Sequence, residues 1–145
     1  MNPIERPSYA LSTEGKVATL SVEAPDWSRL LEIAALSLSD VVRPIGEFET
    51  WTARRVSVRG RTPVETLERW LESAVADWRH GGFLPSLVEV ETAEPLRAAG
   101  IYRGGCVDPD EPRPALDPSG IVAGSVEVTP SPHGPWRARF AVALA

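Results

Sequence analysis

The 145-residue chain holds one cysteine, one methionine and two histidines, and these shortages exclude more chemistry than any motif supplies. Cys106 has no partner for an intramolecular disulfide, so a reducing, cytoplasmic setting is expected. No apolar run approaches the ~20 residues that span a bilayer. The opening stretch, with Pro3, Glu5, Arg6 and Pro7, lacks the apolar core of a signal peptide. There is no His-x-x-x-His, no Cys-x-x-Cys and no glycine-rich phosphate loop, so the common zinc and nucleotide signatures are missing. A formal net charge of −5 argues against nucleic-acid binding through the global field. Arg54, Arg55, Arg59 and Arg61 still leave room for a local basic patch.

The remaining composition is that of an ordinary soluble globular protein, 43% hydrophobic and 24% charged. A chain of this length fits one domain, residues 1–145, and buries roughly 70% of its unfolded surface. Residues Trp136 to Ala145 alternate, with Trp136, Ala138, Phe140, Val142 and Leu144 on one face and Arg137, Arg139, Ala141 and Ala143 on the other. Alternation of that kind marks a half-buried strand, and Val17–Ala24 shows it as well. From Asp26, an N-cap residue, the apolar positions Trp27, Leu30, Leu31, Ala34, Ala35, Leu38, Val41 and Val42 form one helical stripe, which Pro44 stops.

Thr50–Arg59 reads as a further strand with Val56 and Val58 inward, and Thr62-Pro63-Val64-Glu65 is a capping box that opens a second helix. That helix is expected to bury Val64, Leu67, Leu71, Ala74, Val75 and Trp78, to carry Trp70 on its flank, and to end at Gly81-Gly82. Leu87–Glu91, Leu96–Tyr102, Ile121–Thr129 and the terminal segment complete a set of about six strands. Gly104–Gly120 holds four prolines and reads as a loop. The expected fold class is α+β, with two amphipathic helices on one face of a mixed sheet.

Reactive chemistry is sparse on this scaffold. His80 beside the Gly-Gly cap complements a helix C-terminus, and His133 lies in a Pro-Gly turn. Cys106 follows Gly104-Gly105 with no neighbouring base to activate it, so the small-residue role at a strand end outweighs that of a nucleophile in a small enzyme that also uses the acidic loop. That loop, Asp108-Pro109-Asp110-Glu111 with Asp117 beyond, offers oxygen atoms but not the ligand spacing of an EF-hand. Trp27, Trp70, Trp78 and Trp136 read as core; Trp51 reads first as a packed strand residue, with a partner or RNA surface as the alternative that nearby Arg54 and Arg55 leave open.

Several segments in sequence carry a family likeness: Ala24-Pro25-Asp26, Val56-Ser57-Val58-Arg59-Gly60, Leu67-Glu68-Arg69-Trp70-Leu71-Glu72, Gly82-Phe83-Leu84 and Trp136-Arg137-Ala138-Arg139. Their order and spacing from Tyr9 to Leu144 resemble archease, a small protein that assists the RNA ligase joining tRNA halves. Archeases carry a His-Thr-Ala-Asp motif on the first strand and an aspartate near the C-terminus, and the two acids bind a divalent cation. Glu14-Gly15-Lys16-Val17 and Ala143 stand at those places here. The family's Lys-Ala-Val-Thr-Tyr-His stretch falls on Ser119 to Gly124 without its functional side chains.

The resemblance implies a non-catalytic, archease-like accessory protein that binds a partner protein, an RNA ligase being the family's own. Because Val17 and Ala143 cannot coordinate a cation, the site is expected to be lost, with no cofactor and no catalytic or cofactor-binding residue; the net charge argues against direct nucleic-acid contact and the lack of a long apolar run against a membrane span. The alternative keeps a metal-dependent archease that holds Ca²⁺ or another divalent cation through displaced acids, Glu14, Asp108 and Asp110.

Overall fold

In the computed structural model, which describes residues 7–45 and 52–145, the alternating segments form strands and the periodic ones helices. Ala10–Glu14 (β1) and Val17–Ala24 (β2) make an antiparallel hairpin turned at Gly15, whose φ of 57° suits glycine. Periodicity did not separate β1, because all five of its residues are exposed and leave no apolar row to detect. Trp27–Val42 (α1) follows. Its N-cap Asp26 accepts from the Arg29 N–H at 2.8 Å, and Arg43 turns extended ahead of Pro44.

Next come Thr52–Arg59 (β3) and Pro63–Gly81 (α2). Thr62 Oγ1 accepts from the Glu65 N–H at 3.1 Å, and the Glu65 carboxylate accepts in turn from the Arg61 N–H at 3.3 Å. The reciprocal bond of the capping box thus reaches one residue further back than the simplest form of the motif. Gly82, with φ 66°, closes the helix as expected. Trp51 and Thr50 lie outside the described residues.

Phe83–Glu94 (β4), Arg97–Cys106 (β5), Pro118–Ile121 (β6), Glu127–Thr129 (β7) and Trp136–Leu144 (β8) complete the order. Strands β4 and β5 are longer than their alternation suggested. The expected strand Ile121–Thr129 is two short ones, split by a turn in which the Ser125 N–H donates to the Val122 carbonyl at 3.1 Å and Gly124 takes a φ of 75°.

The α+β class with two helices stands, and its sheet is resolved in more detail. The eight described strands form two sheets, β1-β2-β8-β6 with β7 also on β8, and β3-β5-β4. Every described pairing is antiparallel. Short turns at Gly15-Lys16 and Pro95-Leu96 allow only hairpins, while α1 and α2 carry the chain across rather than between parallel neighbours. Each helix packs against strands of both sheets. That is why α1 is buried well beyond one stripe, with Leu36, Ser37, Leu38, Ser39 and Asp40 all covered.

Trp70 is the core's hinge-pin and not a flank residue: it is fully buried. Its indole N–H donates to the Leu31 carbonyl at 2.9 Å, and its ring meets Tyr102 edge-on at 5.1 Å. The Tyr102 hydroxyl donates to the Trp70 carbonyl at 3.1 Å, so α1, α2 and β5 are tied at one point. The terminal strand β8 lies inside its sheet, paired with β2 from Trp136 to Ala143. No helix among the described residues is long and apolar enough to cross a membrane.

Candidate functional site

The hairpin and the terminal strand bring one row of the first sheet into register. Glu14 of β1 stands opposite Val17 of β2, Val17 opposite Ala143 of β8, and Ala143 opposite Gly120 of β6. Directly opposed residues on antiparallel strands have Cβ atoms ~5 Å apart. Val17 and Ala143, drawn from opposite ends of the chain, are therefore immediate neighbours. Val17 is 37% exposed and Glu14 is exposed, so the row faces solvent and not the helices. An acid at each of the two central positions could share one cation, whereas valine and alanine offer it no oxygen.

Asp108 and Asp110 are not on this row, since they follow β5 of the other sheet. Their loop is fixed by its own chain. Asp108 accepts from the Asp110 N–H at 2.9 Å, the Val107 N–H donates to the Gly82 carbonyl at 2.9 Å, and Glu111 pairs with Arg43 at 3.0 Å. Asp117 is buried and takes the Trp78 indole N–H at 2.8 Å on one oxygen and Arg113 at 2.9 Å on the other. Arg79, His80 and Arg113 join this loop around a cleft of about 380 Å³. Among the described residues, no three His, Cys, Asp or Glu side chains gather as a metal-holding group.

His80 is exposed on the last turn of α2, its Nδ1 2.7 Å from the Ala76 carbonyl oxygen, in keeping with a helix-end role. His133 is exposed in the turn before β8, beside Pro132 and Pro135. Cys106 ends β5, exposed and opposite Phe83. Of the tryptophans, Trp27 donates to the Glu94 carbonyl at 3.0 Å and leans on Trp136 at 5.6 Å, a contact that joins the two sheets.

Sequence reading missed the group around Asp77. Burial pushes its carboxyl above the usual range, with Arg54 and then His80 pulling it back. Arg54 stands over the Phe83 ring at 5.4 Å, and Tyr102, buried beneath, is held well above its ordinary value by desolvation and then by Asp77. Asp77 and Arg54 belong to elements that meet only in the folded chain. In the sequence Arg54 reads as part of a basic patch, and Asp77 carries no local signal.

Two helices between two antiparallel sheets, with the row Glu14, Val17, Ala143 and Gly120 on the outer face of the first, define an α+β scaffold. Its fold has a solved counterpart. The solution structure of Methanobacterium thermoautotrophicum protein 1598, a structural-genomics target, superposes with a TM-score of 0.69 over 94% of this chain and 98% of that one, at 17% identity. No family model and no curated protein sequence matches the chain. The likeness covers both molecules almost end to end, and at this identity it shows the fold.

Proposed function

We propose that this chain is an archease-like accessory protein, related to activators of the tRNA-splicing RNA ligase, that binds a partner protein without catalysing a reaction and has lost the divalent-cation site. The observation that carries the reading is the pairing of Val17 with Ala143. The two positions where the resemblance expects cation-binding acids come from opposite termini and meet side by side. An arbitrary alignment of two distant segments has no reason to converge on one cross-strand pair. The near-complete overlap with a chain of matching length supports the fold on which this reading rests.

The mechanism follows from what the row retains. With Glu14 as its one acid the row offers too few oxygens to hold a metal and orient a phosphate through it, so the remaining means of acting on a partner are surface contacts. Calorimetric titration tests the first half: the native protein takes up no Ca²⁺ or Mn²⁺ at ~1 mM, a concentration at which weak calcium sites fill. The Val17→Asp/Ala143→Asp variant, with Glu14 beside it, gains measurable Ca²⁺ binding. Native binding at that concentration would mean that other acids hold the ion. Co-purification from the source organism tests the second half. An RNA ligase among the bound proteins is the expected result, and its absence removes the accessory role.

A further inference from the structure

Sheet edges expose unpaired N–H and C=O groups, and proteins blunt them with charge, proline, bulges or brevity. Four of the five described edge strands here are blunted. β3 carries Arg54, Arg55 and Arg59; β4 carries Pro85 and two register shifts; β6 carries Pro118 and a register shift; β7 is three residues long and holds Glu127. β1 carries neither proline nor a register shift along its five residues. Its residues Ala-Leu-Ser-Thr-Glu are all exposed, Leu11 is 42% exposed, and its single charge, Glu14, sits at the end. It pairs with β2 on one side, and among the described residues no strand takes the other side.

Such an edge selects an extended polypeptide as its occupant, because only a strand answers its alternating donors and acceptors. We propose that the occupant is β1 of a second copy of this chain, antiparallel about a two-fold axis through Ser12. In that register Ala10 faces Glu14, Leu11 faces Thr13, and Ser12 faces its own copy. All five residues pair, no like charges meet, and each exposed Leu11 gains a neighbour. A register centred on Glu14 would oppose two carboxylates and pair fewer residues. The surface is self-complementary, as a two-fold contact requires, and it fuses the two first sheets into one. Five residues span only ~17 Å, so the interface falls in the small class below roughly 1,200 Å². The dimer is accordingly weak and concentration-dependent.

The axis gives the proposal a specific signature. In sedimentation velocity the native protein shifts from monomer toward twice the monomer mass as concentration rises to ~0.5 mM. Ser12→Lys and Ser12→Glu each remain monomeric, since like charges then meet across the axis. An equimolar mixture of the two variants recovers the dimer, because position 12 faces only itself. Circular dichroism checks that both variants fold, which the exposure of Ser12 favours.

A second measurement does not depend on charge. Ser12→Cys, made with Cys106→Ser, forms a disulfide-linked dimer on mild oxidation, as opposed Cα atoms at ~4.5–5.5 Å lie within disulfide reach. A native protein that stays monomeric, a Ser12→Lys protein that still dimerises, a mixture that fails to recover the dimer, or a Ser12→Cys protein that stays uncrosslinked each overturns the proposal.

Discussion

Tyr102 shows how much one buried polar group decides in this core. Its hydroxyl is hydrogen-bonded to the Trp70 carbonyl, and its ring supports the indole edge-on. Burial holds the phenol well above its ordinary value of about 10. The folded protein therefore keeps the proton while the unfolded chain releases it, and stability falls as pH rises above ~10. Tyr102→Phe should cost about 1 kcal/mol near neutral pH, the worth of a buried hydrogen bond, and its stability should change less between pH 9 and 11. Denaturant titration across that range measures both effects. An equally steep alkaline loss in the variant would place the titrating group elsewhere.

At the scale of elements, the ends of the helices are set by local chemistry. Thr62 caps α2 and Glu65 reciprocates at Arg61, both on the surface. Thr62→Ala removes one bond that the helix terminus cannot replace. The expected cost is about 1 kcal/mol, read as a lower denaturant midpoint with an unchanged slope. The cap, the proline and the closing glycine were all legible because each acts within four residues of itself. Strand β1 was illegible for the opposite reason: with neither face buried, its sequence carries no pattern. The split between β6 and β7 was equally hidden. Ile121–Thr129 keeps a strand-like composition, and only the pairing of each half with a different part of β8 shows the break.

For the whole molecule, β8 is the strand on which the first sheet is assembled. It pairs with β2 along nearly its full length and with β6 and β7 on the other side. Its Ala138, Phe140 and Val142 are buried in the core. Removing residues 137–145 therefore exposes β2, β6 and β7 together and withdraws part of the shared core. The truncated chain is expected to lose its cooperative thermal transition and its near-ultraviolet circular dichroism. A truncated protein that melts cooperatively would show that the second sheet and the helices suffice. The same strand supplies one half of the Val17–Ala143 pair, so the metal-restoring variant of the proposed function depends on this assembly too.

Periodicity by itself determined the two helices, their caps, the inward row of the terminal strand and the α+β class, because each follows from side-chain spacing along a local backbone. The scarcity of histidine and cysteine likewise limited the chemistry from composition alone. Only tertiary structure decided that the strands divide into two antiparallel sheets and that Trp70 sits at the centre, since strand partners and burial depend on contacts between distant segments. It also decided that Val17 meets Ala143 while Asp108 and Asp110 stay off that row, in the loop that leads from β5 to β6. Register is a relation between two strands, and no single stretch of sequence contains it.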